Sequence, residues 1–353
     1  MNSIGTGNHK ESKKQTRDAG SAITCIVPNY NGKDYILPCL ESLLKQTLPL
    51  EILVVDDGSR DGSGKIVDDF IADFTRAHPS HPSSIRQKKL PRNSGFASAV
   101  NAGILASSSP YILLINNDTR AERGLAENLL AAIRSGENKK HPTFSVQAAM
   151  LQMDHPDKMD DGGDLYCILG WAFSPARDKP FKSYQKRAFI TTSCAGAALY
   201  RRDLLEETGL FDPAHYCYLE DVDLGLRARR YGYRNVYEPR AVLFHKGSAT
   251  SGSRYNAFKE TLSAANNFYL IWKNFPAWMI ALNLPFFLLG ILIKGIFFAK
   301  RGLVLPYLKG LLLGVKKALS PTAPRVKEYK TNFRNDLQLE FELVVNTLRR
   351  ITG

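Results

Sequence analysis

Three short apolar, β-branched segments, each closed by a cluster of polar turn residues, constrain the fold more than any other feature of the chain. Ala22-Ile23-Thr24-Cys25-Ile26-Val27 runs into Pro28-Asn29-Tyr30-Asn31-Gly32, residues 51–55 run into Asp56-Asp57-Gly58-Ser59, and residues 111–115 run into Asn116-Asn117-Asp118. Between them, residues 35–46, 64–74 and 95–106 carry apolar side chains at helical spacing, and residues 84–90 form a weaker strand. Continuous apolar strands alternating with amphipathic helices predict a parallel sheet covered on both faces. Ligands of such sheets sit beyond the carboxyl ends of the strands. All three polar clusters fall there, so three loops are expected to converge on one crevice.

Further along, residues 125–133 read as a helix and residues 135–182 as irregular, with Asp160-Asp161-Gly162-Gly163-Asp164 as the most polar turn. Residues 190–200 suggest a strand, 202–208 and 220–231 helices, and 242–244 a short strand leading to His245. Residues 1–21 lack apolar periodicity and are expected to be a disordered tail. Residues 22–252 then form the α/β domain and residues 253–353 a helical, basic appendage. No GxGxxG or GxxxxGK[ST] motif is present, so a nucleotide site must rest on other groups. The five scattered cysteines, with no CxxC and no secretory signal, fit a reducing cytosol.

Several side chains at the strand ends suit a phosphate-transfer or group-transfer crevice. Asp56 or Asp57 can accept from a base N–H or a ribose hydroxyl, although Asp-Gly-Ser is also ordinary turn chemistry. Asp118 offers the carboxylate that a hard divalent ion requires while leaving positions open for substrate oxygens. Leu219-Glu220-Asp221-Val222-Asp223 opens a helix with three carboxylates in four residues. The helix N-terminus offsets their repulsion by about 0.3–1 kcal/mol per charge. This cluster is either N-terminal helix chemistry or a general base at the crevice mouth.

Taken as an ordered set, these motifs resemble family 2 glycosyltransferases, which adopt the GT-A fold, a Rossmann-like, mostly parallel sheet flanked by helices. The set continues through Arg92-Asn93-Ser94-Gly95-Phe96. Its second half, Cys194-Ala195-Gly196-Ala197-Ala198-Leu199-Tyr200, Gly209-Leu210-Phe211-Asp212, Tyr218-Leu219-Glu220-Asp221 and His245, is similar to the rhamnosyltransferase-like branch. The resemblance covers roughly residues 23–252. It implies that Pro28, Tyr30, Asp56, Asp57, Arg92, Asn93, Gly95 and Asn117 bind a nucleoside diphosphate sugar, either dTDP-rhamnose or a UDP-sugar. Asp118 and His245 would hold Mg²⁺ or Mn²⁺. Asp221 would deprotonate the acceptor hydroxyl, with Glu220 and Asp223 orienting it or touching the acceptor, and Gly196 and Ala197 lining the acceptor side. Two departures stand out: the metal motif reads Asn-Asn-Asp, with one acid, and no Gln-x-x-Arg-Trp follows Asp221, which favours transfer of one or a few sugars over processive synthesis.

The basic balance of the chain lies at its far end. Residues 251–353 hold 15 Lys/Arg against 5 Asp/Glu, accounting for +10 of the net +13. This excess adjoins the most apolar stretch, residues 277–293, which favours an anionic membrane surface over nucleic acid. As a helix that stretch spans about 25 Å, marginal for a hydrocarbon core of about 30 Å. With Pro285 inside it and lysines around it, an interfacial or re-entrant attachment to the cytosolic face of the cell membrane is expected over a true span, presenting the crevice to a lipid-linked saccharide acceptor. Two other functions compete on the sequence. A sugar-phosphate nucleotidyltransferase would carry a Gly-rich N-terminal phosphate loop, and a non-catalytic basic membrane binder would have no use for Asp118, Asp221 and His245 together.

Overall fold

The computed structural model describes residues 21–137, 139–247, 255–320, 326 and 331–352. The alternation read from the sequence is present: β1 (Ile23–Asn29), α1 (Ile36–Leu44), β2 (Glu51–Asp56), α2 (Ser63–Ala77), β3 (Ser84–Lys89), α3 (Phe96–Leu105), β4 (Tyr111–Ile115), β5 (Thr119–Ala121) and α4 (Leu125–Arg134). There follow β6 (Thr143–Gln152), β7 (Met159–Asp161), β8 (Leu165–Cys167), β9 (Trp171–Phe173), β10 (Ala188–Ile190), β11 (Ala197–Arg201), α5 (Arg202–Thr208), α6 (Glu220–Arg230) and β12 (Arg234–His245). Four helices end the chain: α7 (Ala257–Asn274), α8 (Ala277–Ala299), α9 (Val304–Ala318) and α10 (Phe333–Thr352).

Ten of the described strands form one sheet in the order β10-β12-β6-β11-β4-β1-β2-β3, with β5 on β12 and β7 on β6, and β8 and β9 pair antiparallel as a separate hairpin. β1 pairs in parallel with β2 and β4, and β2 with β3, as expected. Beyond β4 the sheet turns mixed, because β11 runs antiparallel to both β4 and β6. Alternation along each strand divides the core between the two faces. Ile23, Cys25 and Val27 pack with Leu40 and Leu43 of α1, whereas Ile26, Leu53 and Leu114 pack with α3 and with Leu224 of α6. Each such aliphatic side chain, fully withdrawn from water, contributes about 1.5–3 kcal/mol.

The structure corrects several expectations. Residues 135–182 are not irregular: they contain β6, a ten-residue strand buried along nearly its whole length between β11 and β12. Its Ser145 and Gln147 interrupt the apolar pattern yet are fully buried, Ser145 donating to Asn235 Oδ1 at 2.7 Å. The short strand foreseen at 242–244 is the end of the twelve-residue β12. Ser21, assigned to the tail, donates from its hydroxyl to the Pro49 carbonyl at 2.7 Å; residues 1–20 lie outside the described residues. So does the expected boundary at 252; the helices beyond it are joined to α6 by buried ion pairs. Lys273 of α7 reaches Asp223 of α6 at 2.9 Å, and Asp336 of α10 accepts from Arg230 of α6 at 2.7 Å, both pairs buried.

Candidate active site

The carboxyl ends of β1, β2 and β4 converge as the loop pattern requires. Asn29 donates through Nδ2 to Asp56 at 3.0 Å and to Ser63 at 3.0 Å, while Asn117 donates to Asn29 Oδ1 at 2.8 Å. One buried amide therefore ties three loops together. Asp57 anchors a fourth: Oδ1 accepts from the Ser94 amide and Oδ2 from the Gly95 amide, both at 2.9 Å. Gly58 at φ +71° lies against that loop, where a Cβ would stand 2.7 Å from the Arg92 backbone, so glycine is required. Pro28 and Tyr30 are partly exposed beside these loops, Arg92 is exposed, and Asn93 accepts from the Tyr216 hydroxyl at 2.9 Å. Asp56 departs from its expected role. It is 5 % exposed and serves as the acceptor under Asn29, so it shapes the donor loops instead of facing the crevice.

Asp118 and His245 are neighbours because β5 pairs with the end of β12, placing His245 opposite Thr119. His245 Nε2 lies 3.3 Å from Asp118 Oδ1, and its Nδ1 lies 2.6 Å from Asp160 Oδ2. Against the cost of burial, hydrogen bonds to both carboxylates raise the imidazole pKa to about 10, so a metal ion would take the place of the Nε2 proton. A carboxylate oxygen and an imidazole nitrogen side by side form a donor set that fits Mn²⁺ or Mg²⁺, and Asp160 supplies the outer acceptor that metal-binding histidines ordinarily have. Asp160 was visible in the sequence only as part of a polar turn. The pairing of β7 with β6 brings it to His245, and nothing in local spacing announces that.

The three acids at the start of α6 separate into three environments. Asp221 is half-buried; Oδ2 accepts from the Ala195 amide at 3.3 Å and Oδ1 from the Val222 amide at 2.8 Å. Burial raises its pKa despite those amides. Glu220 is buried, its Oε2 has no partner among the described residues, and burial followed by repulsion from Asp221 raises its pKa well above the carboxylate range. Asp223 does not reach the crevice. It is 0 % exposed and bound by Lys273, Arg227 and Asn274, so the acceptor role expected of it is replaced by a structural one. Asp212 and His215 sit with Asp223 close enough to suggest a second cation site, but Lys273 Nζ already lies 2.6 Å from Asp212 and 2.9 Å from Asp223. The protein supplies its own cations there.

Opposite Asp221, the 160–164 turn adds more acid. Burial pushes Asp161 up to about 6, and burial with repulsion from Asp161 and Asp221 raises Asp164. Arg177 tempers the group, its guanidinium 3.7 Å from Asp160. Gly196 borders the same region: its carbonyl accepts from the Asn116 amide at 3.0 Å, and a Cβ would press on the Asn116 side chain at 2.8 Å. Ala197 is fully buried in β11 behind it.

The segment leading into α6 is strained. Tyr216, Tyr218 and Leu219 all have φ between +62° and +70°, which costs of order 1–3 kcal/mol each for residues with a Cβ. One side chain pins it: Asn266 of α7 donates through Nδ2 to the carbonyls of His215, Cys217 and Tyr218 at 2.8–2.9 Å. Such strain clusters at functional sites, and here it precedes Asp221 by two residues.

The sequence profile described as glycosyl transferase family 2 matches residues 24–209, more than half of the chain. The chain belongs to glycosyl transferase family 2. Among curated members it is 34 % identical to glycosyltransferase EpsJ of Bacillus subtilis over 210 residues, 59 % of this chain and 56 % of that one. It is 34 % identical to glycosyltransferase GlyG of Streptococcus pneumoniae over 113 residues, 32 % of this chain and 35 % of that one. It thus spans less than two thirds of either relative. An N-acetylglucosaminyl-diphospho-decaprenol L-rhamnosyltransferase of Mycobacterium tuberculosis is 26 % identical over 228 residues, 57 % of this chain and 68 % of that one. GalNAc-T7, solved with UDP, GalNAc and Mn²⁺, superposes with a TM-score of 0.60 over 92 % of this chain and 55 % of its own at 12 % identity. Mannosyltransferase PcManGT of Pyrobaculum calidifontis, with GDP-Man and Mn²⁺, gives 0.50 over 94 % and 87 % at 16 % identity. These likenesses establish the GT-A fold for this family 2 member.

Proposed function

We propose that this chain is an inverting glycosyltransferase that moves one sugar from a nucleoside diphosphate sugar to a hydroxyl of a lipid-linked saccharide during cell-surface polysaccharide assembly. The observation that carries the reading is the placement of Asp221. Of the three acids opening α6 it is the one that keeps exposed surface, and its charge acts on Asp161 and Asp164, in the same turn as the Asp160 that holds His245. Two amides hold its carboxylate, and its raised pKa brings its basicity nearer to neutral, where a general base is most effective.

In the proposed reaction the acceptor oxygen forms a bond to the anomeric carbon, the bond from that carbon to the diphosphate breaks, and the acceptor proton passes to Asp221. Asp118 and His245 would hold Mg²⁺ or Mn²⁺, whose chemistry there is neutralisation of the departing diphosphate. Pro28, Tyr30 and the 92–95 loop, which Asp57 holds in place, would grip base and ribose. The GDP-Man found with PcManGT, the UDP and GalNAc found with GalNAc-T7, and the rhamnosyltransferase relative support a nucleotide-sugar donor, with dTDP-rhamnose or a UDP-sugar the first choices. The lipid acceptor of that relative, together with the basic, apolar C-terminal helices, supports work at the cytosolic face of the cell membrane.

The test is turnover by Asp221→Asn. Loss of a general base lowers transfer by about 10²–10⁴-fold, with nucleotide affinity kept within about twofold. Unchanged turnover in a folded variant would remove Asp221 from the chemistry.

A further inference from the structure

By length and composition α8 is able to cross a bilayer: it has 23 residues and a mean hydropathy of 2.1 over its most apolar window. Its packing says otherwise. One stripe of α8 is engaged with protein along the whole axis. Near its start Asn283 donates to Glu340 of α10 at 2.8 Å, both buried. Next Phe287 stacks on Phe275 at 6.1 Å between ring centres, and Gly290 approaches the Leu169 carbonyl so closely that any Cβ would collide with it. At its end Phe298 meets Tyr307 of α9 at 5.2 Å. From Met279 to Phe298, both buried, this stripe runs about 28 Å at 1.5 Å per residue, close to the full thickness of a hydrocarbon core of about 30 Å. A spanning α8 would carry the β8–β9 hairpin, Glu340 and the charged length of α10 into hydrocarbon with it.

The opposite face of α8 is bare and apolar, and α9 continues it. Among the described residues, 14 of the 24 exposed large apolar side chains lie between Leu282 and Leu319, with Leu288, Leu292, Leu305 and Leu312 each more than half exposed. So dense a patch exceeds what a soluble surface ordinarily carries. Its charge is one-sided. From Thr261 to Lys327 the sequence has no Asp or Glu and nine Lys or Arg, among them the exposed Lys300, Arg301, Lys309 and Lys316. An apolar face set among cations with no anion fits the boundary between acyl chains and anionic headgroups. A protein partner of ordinary composition would leave those cations unmatched.

We infer that the α8–α9 hairpin docks flat in the headgroup–acyl boundary of an anionic bilayer and that α8 does not cross it. The docked face is fixed relative to the crevice. Gly310 and Gly314 let α9 lie directly on α7, where a Cβ would stand 2.5 Å and 2.7 Å from the carbonyls of Thr261 and Ala265. Lys317 at the end of α9 donates to Asn266 Oδ1 at 2.6 Å, and Asn266 holds the segment leading to Asp221. Docking in this plane therefore presents the base at one fixed orientation to substrates in the same membrane. The inference specifies the mode of the proposed membrane attachment and rests on packing, so it stands or falls independently of the transfer chemistry.

The experiment uses the full chain on vesicles of phosphatidylcholine with 30 mol % phosphatidylglycerol, about the anionic load at which a basic surface gains affinity. Tryptophan is introduced singly by Leu282→Trp, Leu289→Trp and Ile296→Trp, and quenching beyond that of the unsubstituted chain is read with lipids brominated at shallow or deep acyl positions. Flat docking predicts that all three positions prefer the shallow bromine to a similar extent. It also predicts at least tenfold weaker vesicle flotation for Leu288→Lys/Leu312→Lys and for the unsubstituted chain on pure phosphatidylcholine. Deep quenching at position 289 with shallow quenching at 282 and 296 would show a span and overturn the inference. Absence of quenching at all three would also overturn it, and would show that protein covers this face.

Discussion

His245 stands between two carboxylates, its Nδ1 2.6 Å from Asp160 and its Nε2 3.3 Å from Asp118. The first contact fixes the ring so that Nε2 is the atom presented to a ligand shared with Asp118. Asp160→Ala is expected to weaken Mn²⁺ binding in the presence of nucleotide by about 10–100-fold, the usual effect of removing such an outer partner. Asp160→Asn, which keeps an acceptor, should recover part of that loss. Titration of free Mn²⁺ by its paramagnetic resonance signal reads this without turnover, and equal affinities in all three proteins would show that Asp160 does not position the histidine.

Asn266 holds three carbonyls of the strained segment before Asp221. Asn266→Ala leaves buried acceptors unpaired at a cost of about 1–3 kcal/mol, and lets Asp221 drift. The expected outcome is a fall in kcat of at least about tenfold, since small misplacement of a reacting group is costly, with donor affinity unchanged. A change confined to KM, measured by initial rates over donor concentration, would contradict this.

Asp221 and Asp223 are two residues apart, yet their variants should behave oppositely. Asp223→Ala strands the buried Lys273 and Arg227 and should destabilise the protein by about 3–5 kcal/mol. Asp221→Asn removes a charge that burial opposes and should not lower stability. Against the cost of burial, Lys273 and Arg227 hold Asp223 well below the carboxylate range. Its contribution is therefore present above the unfolded pKa near 3.8 and is lost as pH falls below it. Urea unfolding at pH 7 and near pH 2 checks both statements.

Asp161 has the opposite sign. Its folded pKa of about 6 exceeds the unfolded value of 3.8, so the native state binds more protons between them and stability falls as pH rises through that window. Asp161→Asn should raise the melting temperature by a few degrees at pH 8, reflecting on the order of 1–3 kcal/mol. The gain should vanish near pH 4, which scanning calorimetry at the two pH values will read.

Much of this arrangement was legible in the sequence wherever local chemistry sets it. The apolar strands and their polar ends gave the parallel half of the sheet, because continuous burial and turn chemistry are written in adjacent residues. The converging loops at Asn29, Asp57 and Asn117 follow from that topology. What escaped was set by distant partners. β6 was hidden by Ser145 and Gln147, polar residues whose burial is permitted by partners such as Ser193 and Asn235. Asp223 read as an active-site acid because Lys273 and Asn274, fifty residues away, are what claim it. Within the stretch read as helical, α10 was not delimited, because its buried side mixes Leu339 and Leu343 with Asn335, Asp336 and Asn346, each bonded into the fold. Asp160 needed the β6–β7 pairing to reach His245.

The most direct test of the central claim is calorimetric titration of a panel of nucleoside diphosphate sugars, dTDP-rhamnose and UDP-sugars among them, with and without Mn²⁺, into the unsubstituted chain and Asp118→Ala. The account predicts that one donor binds only with the metal and that Asp118→Ala abolishes the metal-dependent part while Asp221→Asn retains it. Binding of no donor, or of a donor equally well with and without metal in both proteins, would contradict it.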